Sequence, residues 1–117
     1  MTTFDQREKA YEAKLAHDEE LKFKATVRRN KWLGLWAAGK LGKTGEAAED
    51  YAAEVIAVEL DEGDGEVILK KLRADFDAAH VDVSDHQIRR EMEELFAKAT
   101  EEIMTVAAEA KEHGHGH

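Results

Sequence analysis

The chain has 117 residues, 37% of them charged and 43% hydrophobic, with 19 alanines, eight glycines, no proline and no cysteine. That mix suits one small helical domain and gives no support to a β-rich fold, and it rules out a disulfide framework and thiolate chemistry. No apolar run approaches the ~20 residues a membrane span needs. The first residues also lack a signal-peptide core, the pattern of an intracellular protein.

The net charge of −9 is unevenly placed. Residues 22–43 hold seven bases and no acid, whereas residues 44–66 hold nine acids and no base. Such blocks mark either partner surfaces or two neighbouring antiparallel helices that complement each other. The second explanation is the simpler one.

Residues 1–17 form an arm. Phe4, Tyr11 and Leu15 lie at helical spacing on one narrow stripe, and Thr3 with Gln6 has the form of a capping box. The other faces carry Asp5, Arg7, Glu8, Lys9, Glu12 and Lys14. A stripe this thin buries little, and a helix shorter than ~12–15 residues is marginal alone in water. The arm is therefore expected to be disordered or nascent helix by itself and to fold against a wall supplied by another protein. From pattern alone, a frayed, solvated extension of the first body helix is the simpler reading.

Asp18, followed by Glu19 and Glu20, predicts the start of a first body helix running to about Leu41. Its expected apolar row is Leu21, Ala25, Arg28, Trp32, Leu35 and Trp36, with the Arg28 stem on the core edge and its head in water. Gly42 is placed to stop it. Thr44 is expected to cap a second helix, about residues 45–60, with Ala48, Tyr51, Ala52, Val55, Ile56 and Val58 inward. The acidic, glycine-paired stretch 61–65 reads as a turn. A third helix spans about residues 66–79, with Ile68, Leu69, Leu72, Phe76 and Ala79 inward. Val81 and Val83 follow as plugs for the bundle end.

Ser84 and Gln87 form the clearest capping box in the chain. The fourth helix after it carries Ile88, Met92, Leu95, Phe96, Ala99, Ile103, Val106 and Ala110 at steps of mostly three and four, and fades near Ala110. Residues 111–117 read as a disordered His/Gly tail. The fold class is therefore all-α: a small four-helix bundle over residues 18–110 with a mobile, partly helical N-terminal arm. Trp32, Trp36, Tyr51, Phe76 and Phe96 are the large core candidates.

Several strings imitate functional motifs. The run from Gly39 to Gly45 suggests a phosphate-binding loop, but Ala37 stands where its first glycine belongs, and a helix precedes it where a strand is required. A looser anion contact survives, using Lys40 and Lys43 at the start of the second helix, with Arg28 and Arg29 as further candidates. The stretch 61–66 is too short, with Gly63 in a ligand position, for an EF-hand. His17, His80 and His86 have no partners at metal-site spacing, so no metal is expected. Arg28-Arg29-Asn30-Lys31-Trp32 has the look of a nucleic-acid patch, but Trp32 belongs to the expected core and the acidic chain repels phosphate. No catalytic constellation is visible, so the chain reads as a non-enzyme without a required cofactor.

Three strings together carry a resemblance: residues 1–25 (MTTFDQREKAYEAKLAHDEELKFKA), 28–42 (RRNKWLGLWAAGKLG) and 84–95 (SDHQIRREMEEL). They resemble the zeta-subunit family of α-proteobacterial F-type ATPase inhibitors, long catalogued as a domain of unknown function. The resemblance spans nearly the whole chain apart from the tail at 109–117. It implies a four-helix body whose N-terminal arm enters a catalytic α/β interface of the soluble F1 head and blocks ATP hydrolysis. It implies the F1 α, β and γ subunits as partners, with no membrane insertion and no nucleic acid, and a chain that is monomeric when free. Cytoplasmic localisation follows, at the cytoplasmic face of the inner membrane through F1. By the same analogy Phe4, Asp5, Arg7, Glu8, Tyr11, Lys14 and Leu15 are the contact candidates, and ATP or ADP is a candidate ligand. A small adenine-nucleotide sensor and a helical module for a protein or RNA partner stand as alternatives.

Overall fold

The computed structural model describes residues 18–58 and 65–115, with side chains described as far as Val106. Four helices follow in order: α1 (Glu19–Lys40), α2 (Gly45–Val58), α3 (Glu66–Ala78) and α4 (Asp85–His115). No strand occurs among the described residues.

Local chemistry sets most of the helix ends. The Asp18 carboxylate accepts a hydrogen bond from the Leu21 N–H at 3.1 Å, which satisfies one of the amides that a helix start leaves open. At the far end of α1, Gly42 takes φ +80°. The Lys43 N–H then reaches the Ala38 carbonyl at 2.8 Å and the Gly42 N–H reaches that of Gly39 at 3.1 Å. This is a Schellman stop, and it accounts for the glycine-rich run without any phosphate. The same motif ends α3, where Val81 donates to Phe76 at 2.8 Å and His80 to Asp77 at 3.1 Å, with His80 at φ +58°.

Ser84 and Gln87 close their box reciprocally. The Gln87 N–H donates to Ser84 Oγ at 3.1 Å and the Ser84 N–H to Gln87 Oε1 at 3.0 Å. Gly45 turns the chain into α2 at φ +57°. The Arg73 guanidinium ties the α3–α4 connection. It donates to the Val83 carbonyl at 2.6 Å and Asp85 Oδ1 at 3.1 Å, and pairs with Asp77 at 2.9 Å.

The main core gathers Leu33, Ala37 and Ala38 of α1, Tyr51 and Val55 of α2, Ile68, Leu69, Leu72 and Phe76 of α3, and Ile88 and Met92 of α4. Val83 is buried with them and Val81 packs partly against them, so the connection does plug the bundle end. A second, smaller cluster joins the N-terminal half of α1 to the later turns of α4 through Ala25, Ala99 and Ile103. Leu21, Trp32 and Phe96 pack at its edge.

Of the apolar row expected on α1 only Ala25 is fully buried, while Leu21, Arg28, Trp32, Leu35 and Trp36 are half-buried. The buried residues are Ala25, Arg29, Asn30, Leu33, Gly34, Ala37 and Ala38, because α1 packs on both α2 and α4 and so buries two faces. Trp32, Trp36 and Phe96 are half-buried at the core margin, whereas Tyr51 and Phe76 are inside. Trp36 meets Phe76 edge-on, with centroids 6.0 Å apart. Ala79 and Val106 are exposed, and α4 stays helical through His115, beyond the fading of its apolar pattern at Ala110.

Candidate functional site

The arm contact candidates Phe4, Asp5, Arg7, Glu8, Tyr11, Lys14 and Leu15 lie outside the described residues. The body's side of the junction is well defined. Helix α1 begins with its own cap at Asp18, whose carboxylate accepts from the Leu21 N–H.

Two contacts fix how α1 lies on α4. Arg28 Nη1 meets Glu102 Oε1 at 2.6 Å, and Lys98 Nζ stands 5.0 Å from the centroid of the Trp32 ring. Four residues along α1 thus match four residues back along α4, which is an antiparallel register. The same register carries Asp18 to about the level of Glu112. The arm therefore joins the body at the end where the last turns of α4 lie.

The four anion candidates do not form one group. Arg28 is committed to Glu102 on α4. Arg29 is buried, donates from Nε to Asn30 Oδ1 at 2.8 Å and lies over the Phe96 ring at 5.7 Å. Lys40 stands over Trp36 at 6.0 Å and Lys43 over Tyr51 at 5.9 Å. At 1.5 Å per residue, Lys40 is ~18 Å along α1 from Arg28.

Two clefts collect charged groups. The first has a volume of about 260 Å³ and is lined by Arg29, Gly65, Glu66, Arg89, Met92 and Phe96, among others. Arg89 pairs there with Glu66 at 3.0 Å. The second, of about 370 Å³, is bounded by Leu41, Lys43, Tyr51, Glu54 and Asp75. Its wall is a polar network: the Tyr51 hydroxyl donates to Asp75 Oδ2 at 2.6 Å, and Lys71 Nζ reaches Asp75 at 3.1 Å and Glu54 at 3.2 Å. Burial, and then the hydrogen bond to the Asp75 carboxylate, push the Tyr51 phenol well above the usual tyrosine range. Partial burial pulls the Lys71 ammonium down, but its bonds to Asp75 and Glu54 outweigh that and hold it above the ordinary lysine value. The sequence reading missed this network and Arg89, because Tyr51 and Glu54 of α2 meet Asp75 and Lys71 of α3, and Arg89 of α4 meets Glu66 of α3, only in the folded chain.

Charge complementarity was expected to join the basic α1 to the acidic α2. At the crossing itself the contact is between small residues, and Glu59, Asp61, Glu62 and Asp64 of the acidic block lie outside the described residues. A Cβ on Gly34 would stand 2.6 Å from Ala52 Cα and 3.3 Å from Val55 Cβ. Lys22, Lys24, Lys31, Lys40 and Lys43 are left exposed.

No group of three or more acidic, histidine or cysteine side chains that could hold a metal occurs among the described residues. No described helix is long and apolar enough to cross a membrane. Fold and surface together define a small all-helical body that bears an N-terminal extension. The sequence model of the ATPase inhibitor subunit zeta family matches residues 1–102, so the chain belongs to that family. A structure solved by solution NMR is 38% identical, covers 73% of this chain and 96% of its own, and superposes with a TM-score of 0.63. Among curated proteins, no relative matches. Membership makes this a regulatory subunit of an ATPase.

Proposed function

We propose that the protein inhibits ATP hydrolysis by the F1 head of an F-type ATP synthase, by inserting residues 1–17 as a helix into a catalytic α/β interface. Phe4, Tyr11 and Leu15 would anchor the helix, with Asp5, Arg7, Glu8 and Lys14 at its polar edges. The observation that carries this reading is that the family match begins at residue 1 and includes the whole arm, although the helical body is already capped at Asp18. A segment that precedes the cap of the first body helix, yet belongs to the family's pattern, is suited to a partner. A wedge of this kind acts by stopping the opening and closing of an interface that turnover requires. The protein would then reside in the cytoplasm, at the inner membrane through F1, with the α, β and γ subunits as partners.

The test is ATP hydrolysis by purified F1 with the full chain and with a chain starting at Asp18. Inhibition by the first and its loss with the second supports the wedge. Equal inhibition by both moves the effector to the helical body.

ATP or ADP as a ligand is a second reading, favoured by the cleft that brings Arg29 and Arg89 beside the Phe96 ring. Glu66 and Glu93 share that cleft and oppose an anion. Nucleotide-dependent shifts of the Arg89 and Phe96 amide resonances would support it, and shifts confined to Lys40 and Lys43 would move the site to the far end of α1.

A further inference from the structure

Between Ala25 and Leu33, α1 buries only Arg29 and Asn30, and both are polar. On α4, Thr100 is 1% exposed, and its Oγ1 has no hydrogen-bond partner among the described residues. Asn30 and Thr100 stand at one level of the antiparallel seam, midway between the Arg28–Glu102 and Trp32–Lys98 contacts. Arg29 joins them, its Nε donating to Asn30 Oδ1. A buried polar layer therefore crosses the seam between α1 and α4. Past it toward Asp18, the buried apolar residues of these two helices are Ala25, Ile103 and Met104, with Leu21 half-buried. On the other side, Leu33 opens the main cluster of twelve buried residues, drawn from all four helices and the α3–α4 connection. A buried hydroxyl without a partner weakens closure where it stands. Both side chains of the Arg28–Glu102 pair are exposed to water, so the pair adds little.

We propose that the facing ends of α1 and α4, residues 22–28 and 102–106, form a unit that opens separately while the rest of the bundle stays folded, with the Arg29, Asn30 and Thr100 layer as its boundary. Local opening takes place where buried apolar contacts are few, and the polar layer breaks the apolar continuity that would otherwise tie this end to the main cluster. The two strands of the unit lie some 75 residues apart in the chain but at one level of the seam, so they part together. Residues 1–17 join the body through Asp18, at the start of this unit, and each opening therefore changes the direction in which they leave the body. Opening of this kind is a property of the body alone and holds whether or not the arm inhibits.

The experiment is amide hydrogen exchange of the full chain, read residue by residue by NMR, in the wild type, Ile68→Val and Thr100→Val. In the wild type, residues 22–28 and 102–106 are expected to share one protection factor, at least about tenfold below that of residues 33–38 and 68–76, with the step at the polar layer. Protection that instead rises smoothly from each helix end is ordinary fraying and overturns the unit. Ile68 is fully buried in the main cluster. Ile68→Val is therefore expected to speed exchange in residues 33–38 and 68–76 about fivefold and to leave the unit unchanged. An equal increase in both sets makes the bundle one cooperative block and overturns the proposal. Thr100→Val keeps the side-chain shape and helix propensity but drops the hydroxyl. It is expected to slow exchange roughly fivefold or more on both sides of the seam, in residues 22–28 as well as 102–106. Faster exchange, or a change confined to α4, would overturn the role given to the polar layer.

Discussion

Gly34 of α1 lies so close to Ala52 of α2 that a Cβ at position 34 would stand 2.6 Å from the Ala52 Cα. The obstacle is backbone, which cannot rotate away. Alanine is favoured over glycine by about 1 kcal/mol in a helix interior, so propensity alone would reward the change. Overpacking at such a crossing typically costs about 1–3 kcal/mol and wins the comparison. Gly34→Ala is therefore expected to lower the melting temperature by several degrees. Gly39→Ala, five residues further along α1 with nothing within 4 Å of its Cβ, is expected to raise it slightly. Thermal denaturation of the two variants checks the pair. Similar effects from both would mean that the α1–α2 crossing is looser than this geometry.

His80 offers a change in the opposite direction. It holds φ +58° at the end of α3, a conformation that costs an L side chain roughly 1–2 kcal/mol. Val81 and Phe76 complete the motif around it, so the backbone there is held in place. His80→Gly is expected to stabilise the fold by about 1 kcal/mol, read as a higher denaturation midpoint with an unchanged slope. A loss of stability would show that the exposed imidazole makes a contact that outweighs the strain.

What could be read from the sequence divides by the range of the interaction. The caps at Asp18 and Ser84 were legible because every atom involved lies within three residues. The four helices and their order followed from spacing. The arm and its candidate anchors could be named as residues, but the contacts proposed for them lie on a partner's surface and cannot be inferred from one chain. Gly34 reads as a weak spot in a helix until Ala52 is placed against it. Arg29 reads as one more surface base; only the packing of α4 puts the Phe96 ring beneath it. The expected α1 row named only Ala25 of the fully buried residues, because it followed the large side chains, whereas α1 packs on two neighbours through small residues and Leu33. Tyr51 was placed inward for its ring, while its hydroxyl required Asp75, 24 residues away, to find a partner.

The Tyr51–Asp75–Lys71 network fixes how stability depends on alkaline pH. The folded protein holds the Tyr51 proton more tightly than a free phenol, whose ordinary value is about 10, and the Lys71 proton more tightly than a free ammonium at about 10.5. A group with a raised folded pKa contributes stability that is complete below its unfolded pKa and declines as pH rises toward the folded value. This network should therefore leave the melting temperature flat from neutral pH to about 10 and then lower it. Tyr51→Phe removes the phenol's share and should make the alkaline decline shallower, while costing about 1 kcal/mol at neutral pH through the lost hydrogen bond. Melting curves between pH 7 and 11 test both. An alkaline slope identical in wild type and Tyr51→Phe would remove the phenol from the network.

The arm prediction follows from the proposal that residues 1–17, which precede the Asp18 cap, fold on a partner. Truncating an interfacial aromatic anchor often costs at least ~2 kcal/mol, or about thirtyfold in affinity. Phe4→Ala with Tyr11→Ala is therefore expected to abolish inhibition of F1 at ordinary concentrations and to leave the melting curve of the body unchanged. Deleting residues 1–17 should do the same, with a shift of only a few degrees. Helix formation on the partner supplies a separate test, because Ala13→Pro removes no large contact yet breaks a helix at a cost of roughly 3 kcal/mol. It should weaken inhibition about as much as the loss of an anchor. Full activity of Ala13→Pro together with a loss in Phe4→Ala, Tyr11→Ala would mean that the arm binds extended. The anchors would then remain, and the helical wedge would have to be given up.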